Sequence, residues 1–300
     1  MLRMDALRRG WAGLLVAAAM AAAGVTAAAP AAAADPGCVV APEVGRDDRQ
    51  AALGVFRDGT WYVRGSLTSG PADLCFVFGQ AGDQPVFGDW DGDGLPTPGV
   101  FRASTGTWYL SNAPFAQSGA DVVVQYGSPG DLAYMGDFDA DGVTTVGVYR
   151  PGEQRFYLRN SNTSGIADGA FRFGQPGDQP APDPQVNGLR VYRPSDAAFV
   201  GAYLTGPEPG TAYSWQFGNP GDVPLWGPWE TGGTALGGWN AQAAPGVYRP
   251  STGEWLLLTD RFAPPSLPTV TVLQFGNPGD VRIGFEPRCS GRGACGELGG

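Results

Sequence analysis

The sequence contains no histidine and no lysine. The first absence removes the usual imidazole general base, any Ser-His-Asp triad and the commonest zinc ligand. The second leaves arginine to supply all 19 basic groups against 29 acidic ones, for a net charge of −10. A surface that acidic argues against nucleic acid and anionic membranes as partners. Long apolar runs are missing beyond residue 34, so no membrane insertion is expected. No stretch of useful length carries a helical 3.6-residue period. Cysteine is sparse, at positions 38, 75, 289 and 295.

What is present begins with an export signal. Arg3, Arg8 and Arg9 form a basic start, Trp11 to Val25 is apolar, and small-x-small alanine patterns follow at Ala27–Ala29 and Ala32–Ala34. This reads as a secretory signal peptide over residues 1–34. The protein is therefore expected to be secreted, with 16 basic and 28 acidic residues left after cleavage, a charge of −12. In an exported chain the four cysteines suggest disulfides. Either Cys38 pairs with Cys75 and Cys289 with Cys295, or Cys38 joins the C-terminal tail and staples the ends together.

Glycine (48) and proline (27) make up a quarter of the chain, a composition that without periodicity would indicate disorder. Periodicity is there. Gly-Val-aromatic-Arg occurs at Gly54–Arg57, Gly99–Arg102, Gly147–Arg150 and Gly246–Arg249, with the variant Arg190-Val191-Tyr192-Arg193 between the last two. The arginines are spaced by 45, 48, 43 and 56 residues. A second phrase, aromatic-Gly-x-x-Gly-Asp, ends at Asp83, Asp131, Asp178, Asp222 and Asp280, spaced by 48, 47, 44 and 58. Two phrases in step define a repeat.

Each unit reads as four short strands. In the second unit these are Gln84–Trp90, Pro98–Ala103, Thr107–Ser111 and Asp121–Tyr126, rich in β-branched and aromatic residues and separated by Gly, Pro, Asp and Ser. Four strands in about 45 residues, repeated, is the signature of propeller blades. The predicted fold is all-β: a five-bladed β-propeller of four-stranded antiparallel blades. The units run over residues 53–83, 84–131, 132–178, 179–222 and 223–280. A lead-in (35–52) precedes them and a Cys/Gly-rich tail (287–300) follows. Residues 280–286 look like a first strand with nothing after it, whereas Leu53–Phe78 supplies three strands with only a weak candidate, Cys38–Gly45, ahead of them. The C-terminal strand is therefore expected to complete the N-terminal blade and close the ring, leaving no unpaired ring edge.

The phrases Phe217–Pro224, Gly88–Gly94, Val247–Trp255 and Arg159–Gly165 resemble the FG-GAP/VCBS-type repeat proteins of bacteria, of which the integrin α-subunit head is a distant relative. The resemblance covers residues 43 to 286. It implies a β-propeller with Ca²⁺-binding loops and often a role in extracellular binding, but no single activity.

Two inter-strand loops carry the residues for such sites. Asp89, Asp91 and Asp93 stand at positions 1, 3 and 5 of one loop, with Gly94 at position 6 permitting a sharp turn. Asp137, Asp139 and Asp141, followed by Gly142, repeat the pattern. Three carboxylates and a main-chain carbonyl at position 7, from Leu95 and Val143, are hard oxygen donors that suit Ca²⁺. The acid at position 12 of an EF-hand is missing, since Val100 and Val148 stand there. The resemblance implies a further ligand at position 9, Thr97 and Thr145. The bland alternative is a Gly/Asp turn without metal, in which three close carboxylates would repel one another. The equivalent segments at Arg46–Asp48, Asp183–Asn187 and Gly238–Gln242 lack the carboxylate set and are expected to be metal-free.

Other recurrent residues read as structural. Arg57, Arg102, Arg150, Arg193 and Arg249 are expected to stack on aromatics such as Trp61, Trp108 and Trp255, or to pair with the turn aspartates. Trp226, Trp229 and Trp239 frame an insertion (228–238) and belong either to the blade core or to a sugar-stacking surface. Asn162-Thr163-Ser164 fits a glycosylation sequon and is read as a polar turn. Together these features predict a secreted, Ca²⁺-stabilised, non-catalytic binding module for an extracellular glycan or protein. A glycoside hydrolase or lyase would need two carboxyls across one cleft, and none stands out from the repeat turns. A structural cell-surface component is the remaining alternative.

Overall fold

The computed structural model describes residues 53–64, 66–113, 119–182, 188–204, 212–227, 244–260 and 269–284. The signal segment, the lead-in, the tail, the insertion with Trp229 and Trp239, the three loop segments expected to be metal-free, and Cys38, Cys289 and Cys295 lie outside them. Cys75 is buried and is not a free thiol, and the choice between pairings lies outside the described residues with its possible partners.

Among the described residues, twenty strands fall into five antiparallel sheets of four. Blade 2 is built from β4 (Gln84–Gly88), β5 (Thr97–Arg102), β6 (Thr107–Leu110) and β7 (Val122–Gln125) in sequence order. Blade 3 repeats it with β8 (Leu132–Gly136), β9 (Thr145–Arg150), β10 (Arg155–Leu158) and β11 (Gly169–Arg172). Blade 4 holds β12 (Gln179–Pro180), β13 (Gly188–Arg193), β14 (Ala198–Tyr203) and β15 (Ala212–Gln216). Blade 5 holds β16 (Val223–Gly227), β17 (Ala244–Arg249), β18 (Glu254–Asp260) and β19 (Thr269–Gln274).

Blade 1 is assembled from both ends of the described chain. β1 (Leu53–Arg57), β2 (Thr60–Arg64) and β3 (Leu74–Val77) are joined by β20 (Val281–Gly284), which pairs with β1 from Leu53↔Gly284 to Phe56↔Val281. The C-terminal strand thus closes the ring as its sequence suggested. The innermost strands border one another: β20 on β4 and β16, β4 on β8, and β8 on β12.

The core lies between blades. Five apolar clusters occupy the five seams, and each mixes residues of two neighbouring blades. The seam between blades 5 and 1 packs Leu53 and Val55 against Leu225, Tyr248, Trp255 and Leu273. Trp61, Trp108 and Trp255, fully buried, each donate their indole N–H to a backbone carbonyl, of Phe78, Tyr126 and Phe275, at 2.8–3.0 Å. That satisfies the one polar atom of an otherwise apolar payload.

Both repeat phrases acquire a physical reason. Each arginine of the first makes a two-pronged ion pair with the aspartate that ends the second: Arg57–Asp280, Arg102–Asp83, Arg150–Asp131, Arg193–Asp178 and Arg249–Asp222. The same aspartates accept the backbone N–H three residues back, which ties off the turn between blades. The aromatic partner differs from the tryptophans expected. Arg57, Arg102 and Arg150 sit over Tyr62, Tyr109 and Tyr157, one residue further on, at 4.5–4.9 Å. Side chains alternate across a strand, so the tryptophan that faces the core leaves its tyrosine neighbour on the arginine's side. The first glycine of the turn phrase is equally constrained. Gly79 has φ 95°, and a Cβ there would come within 2.9 Å of Val100 on the next blade.

Candidate metal centre: two acidic loops

The loops after β4 and β8 leave their sheets early. The first strand of blade 2 was expected to reach Trp90 but ends at Gly88, because Asp89 turns to the neighbouring blade. The Asp89 carbonyl accepts the backbone N–H of Thr144 at 2.7 Å, and its own N–H donates to the Thr144 hydroxyl at 3.2 Å. The aromatic at position 2 of each loop, Trp90 or Phe138, is sunk into the core and anchors the turn. Trp90 donates its indole N–H to the Thr97 carbonyl, and Phe138 stacks on Tyr134 at 5.9 Å.

Within each loop the three carboxylates converge. Oxygens of Asp89, Asp91 and Asp93 all lie within 4.8 Å of one another, and so do those of Asp137, Asp139 and Asp141. A single cation with oxygen ligands at about 2.4 Å accommodates that spread. Asp89 is buried and fixed by the N–H groups of Gly92 (2.8 Å) and Gly94 (3.0 Å). Asp137 is held likewise by Asp141 (3.0 Å) and Gly142 (3.0 Å). Asp93 and Asp141 each accept the N–H of the position-7 residue, Leu95 or Val143, at 2.7 and 2.8 Å. Desolvation first, and then repulsion from Asp93 and Asp89, hold the Asp91 carboxyl above its ordinary pKa. A bound cation would relieve both effects, so the donor set fits the ion.

The position-9 threonines sit at the exit of each loop. Thr97 donates its hydroxyl to the Ser111 carbonyl (2.6 Å) with the Gly88 carbonyl nearby at 3.4 Å, and Thr145 donates to the Arg159 carbonyl (2.7 Å) with the Gly136 carbonyl nearby at 3.1 Å. These bonds lock the loop's ends together.

One residue of this region was read differently in the sequence. Asn162 is a bridge between the two acidic loops. Its amide donates to the carbonyls of Trp90 (3.1 Å) in the first loop and Thr144 (2.9 Å) in the second, while its oxygen accepts the Val146 N–H at 3.2 Å. With both amide protons engaged, the sequon nitrogen has none to offer a glycan. Asn162 is presented by a caged loop whose pattern occurs twice. In Arg159–Asp168 and Arg64–Asp73 the arginine bonds the threonine hydroxyl at 2.7–2.8 Å and reaches an aspartate at 3.3–3.4 Å. The next serine in each cage, Ser164 or Ser69, accepts the N–H of Gln125 or Gln274 on the outer strand of the preceding blade at 2.9 Å. The recurrence of Arg-x-Ser-x-Thr-Ser-Gly was the signal in the sequence for this edge cap.

Trp226 is buried in the seam between blades 4 and 5, beneath the Arg190 guanidinium at 4.6 Å, so it belongs to the blade core. Among the described residues no helix is long and apolar enough to cross a membrane.

No protein-family model matches the chain, and no curated protein matches it. Among solved structures, it is similar to BBS1N in complex with ARL6DN, in crystals soaked with lead and with mercury. Identity is 14% in both, with TM-scores of 0.39 and 0.36 over 76% and 74% of this chain. The chain spans just under two thirds of those structures, 65% and 64%.

Proposed function

We propose that the chain is an exported propeller of the FG-GAP/VCBS type, stabilised by two Ca²⁺ ions, that serves as a non-catalytic extracellular binding module. The observation that carries this reading is the pair of acidic triads, each with its carboxylate oxygens within 4.8 Å and on adjacent blades. Asp89, Asp91 and Asp93 would hold one ion and Asp137, Asp139 and Asp141 the other. The main-chain carbonyls of Leu95 and Val143 would join them, with Thr97 and Thr145 as the ninth-position ligands. With a neutral residue at the ninth position, affinities in the 10⁻⁴ to 10⁻³ M class of extracellular modules are expected.

Charge and position support a structural ion over a catalytic one. Each loop joins the first two strands of one blade, so an ion there pins a turn that otherwise concentrates three negative charges. Asn162 ties both turns together. The repeat carboxylates at Asp83, Asp131, Asp178, Asp222 and Asp280 are occupied by their arginines, which removes them as acid/base candidates. The partner class, an extracellular glycan or protein, is tested by glycan and surface-protein arrays probed with and without Ca²⁺. Hydrolysis of an arrayed glycan would replace this reading with that of a glycoside hydrolase. Retention on no target, with or without Ca²⁺, would leave a scaffold role instead.

A further inference from the structure

On the innermost strand of each blade alternate residues turn their backbone away from the paired strand, towards the ring axis, and the first such position recurs from blade to blade. Its occupants in blades 2 to 5 are Pro85, Ala133, Pro180 and Pro224, the second residue of each strand. Proline has no N–H and is tolerated in a sheet where that N–H would meet no partner strand. Ala133 confirms the direction, since its N–H donates across to the Gln84 side chain of the neighbouring inner strand at 2.8 Å. In blade 1 this position is Arg282, on the closing strand β20.

Arg282 spans the seam where the ring closes. Its Nε donates to the carbonyl of Pro224, the equivalent residue of the last blade. Among the described residues that is its one hydrogen bond, and no carboxylate pairs with it. The five repeat arginines present Nε and Nη2 side-on to an aspartate. Arg282 has given its Nε to a carbonyl, which leaves the end-on pair, Nη1 and Nη2, open. Arg282 as a residue is partly exposed, yet desolvation alone lowers the pKa of its guanidinium to about 9. A desolvated cation is stabilised by a charge partner, and the four surrounding positions of its tier, proline and alanine, offer none.

We propose that Arg282 is an oxyanion-binding residue at the axis of the propeller, its Nη1/Nη2 end taking the paired oxygens of a carboxylate, sulfate or phosphate group. A guanidinium fork matches such paired oxygens. The oxyanion has two possible sources, a free anion or an acidic side chain of a protein partner. The site is independent of the acidic loops.

The test uses the full secreted chain in chelator, so that cations play no part, at constant ionic strength maintained with sodium chloride. Thermal melts of the wild type, Arg282→Gln and Arg282→Lys are followed as sodium sulfate replaces chloride. Sulfate stabilises proteins generally, so the reading is the difference between variants. The expected result is a saturable rise in Tm for the wild type, a reduced rise for Arg282→Lys, and only the non-saturating background for Arg282→Gln. A parallel titration with hexaglutamate identifies the source: binding tighter than sulfate and lost in Arg282→Gln points to a partner's acidic side chain, and binding of sulfate alone to a free anion. Should Arg282→Gln fail to fold, wild-type crystals soaked in selenate decide, with an anomalous selenium peak within hydrogen-bond reach of Arg282 Nη expected. Equal sulfate responses in wild type and Arg282→Gln, or no selenium at the axis, would overturn the proposal.

Discussion

Arg57 and Asp280 stand 223 residues apart and form the same two-pronged ion pair that the other four blades make over 15 to 27 residues. The long pair is the repeat's own interaction, made between the two ends of the described chain. Ring closure therefore needs no special device, because β20 and Asp280 supply the strand and the turn that every other blade receives from the sequence just before it.

Removing Asp280 should open the seam. Its side chain is 4% exposed and that of Arg57 is 31% exposed, so Asp280→Ala takes the two-pronged partner from a partly desolvated guanidinium and unties the turn. The expected loss is roughly 2–4 kcal/mol, discounted for the solvent that still reaches Arg57. Urea denaturation measures it, and a double-mutant cycle with Arg57→Ala isolates the pair. Deletion of residues 280–300 should destabilise the whole ring, and an unchanged melting temperature would reject closure by β20.

Asn162→Ala should loosen both acidic loops at once. It leaves the carbonyls of Trp90 and Thr144 without their donor, at a cost of about 1–3 kcal/mol. Asn162→Asp should cost more, since it sets a carboxylate against the same two carbonyls. Limited proteolysis is expected to cut within both 89–97 and 137–145. Cleavage confined to one loop would show that Asn162 does not bridge them in solution. Mass spectrometry of protein secreted from a glycosylating host should find Asn162 unmodified.

The loops also differ in the residue that holds one backbone conformation. Position 4 is left-handed in both, Gly92 at φ 79° and Ala140 at φ 64°. Alanine pays about 1–2 kcal/mol for that conformation, partly offset in glycine by its more flexible unfolded chain. Ala140→Gly should therefore stabilise the protein by roughly 0.5–1 kcal/mol, readable as a higher Tm. A lower Tm would mean that the turn is not left-handed.

Alkali should unfold the protein by way of its buried phenols. Burial first, then the nearby Asp280 charge, pushes the Tyr248 phenol up to about 12, and its hydroxyl donates to the Asn277 carbonyl at 2.8 Å. A folded pKa above the unfolded value near 10 means stability that is whole below pH 10 and lost as pH rises towards 12. Absorbance at 295 nm should show Tyr248 ionising late, together with unfolding. Tyr248→Phe should reduce that step by one phenol, since burial also raises Tyr126, Tyr149 and Tyr192, and ionisation near pH 10 in an intact fold would contradict it.

Much of this was legible in the residues. Glycine, proline and aspartate spacing located the turns, and the two phrases counted the blades, because a unit that cannot bury its own apolar face must repeat. The Asp triads were legible because three acidic residues spaced two apart before a glycine bring their carboxylates together within one turn. Asn162 was not, since a polar side chain in a Ser/Thr-rich turn looks the same whether it faces water or another blade's carbonyl. Arg282 was hidden for a related reason. Only the assembled ring shows that its equivalents are Pro85, Ala133, Pro180 and Pro224, and that it reaches the last blade from the first.

The central claim is that two ions hold this propeller's acidic loops, and titration calorimetry of the chelator-stripped protein with Ca²⁺ tests it most directly. A ligand that binds only the folded state stabilises it by RT ln(1 + [L]/Kd), roughly 0.5–1.5 kcal/mol per weak site at millimolar Ca²⁺, so the melting temperature should rise in step. The account predicts two sites in the wild type and one each in Asp91→Ala and Asp139→Ala. Absence of binding at millimolar Ca²⁺, or a stoichiometry of five, would contradict it.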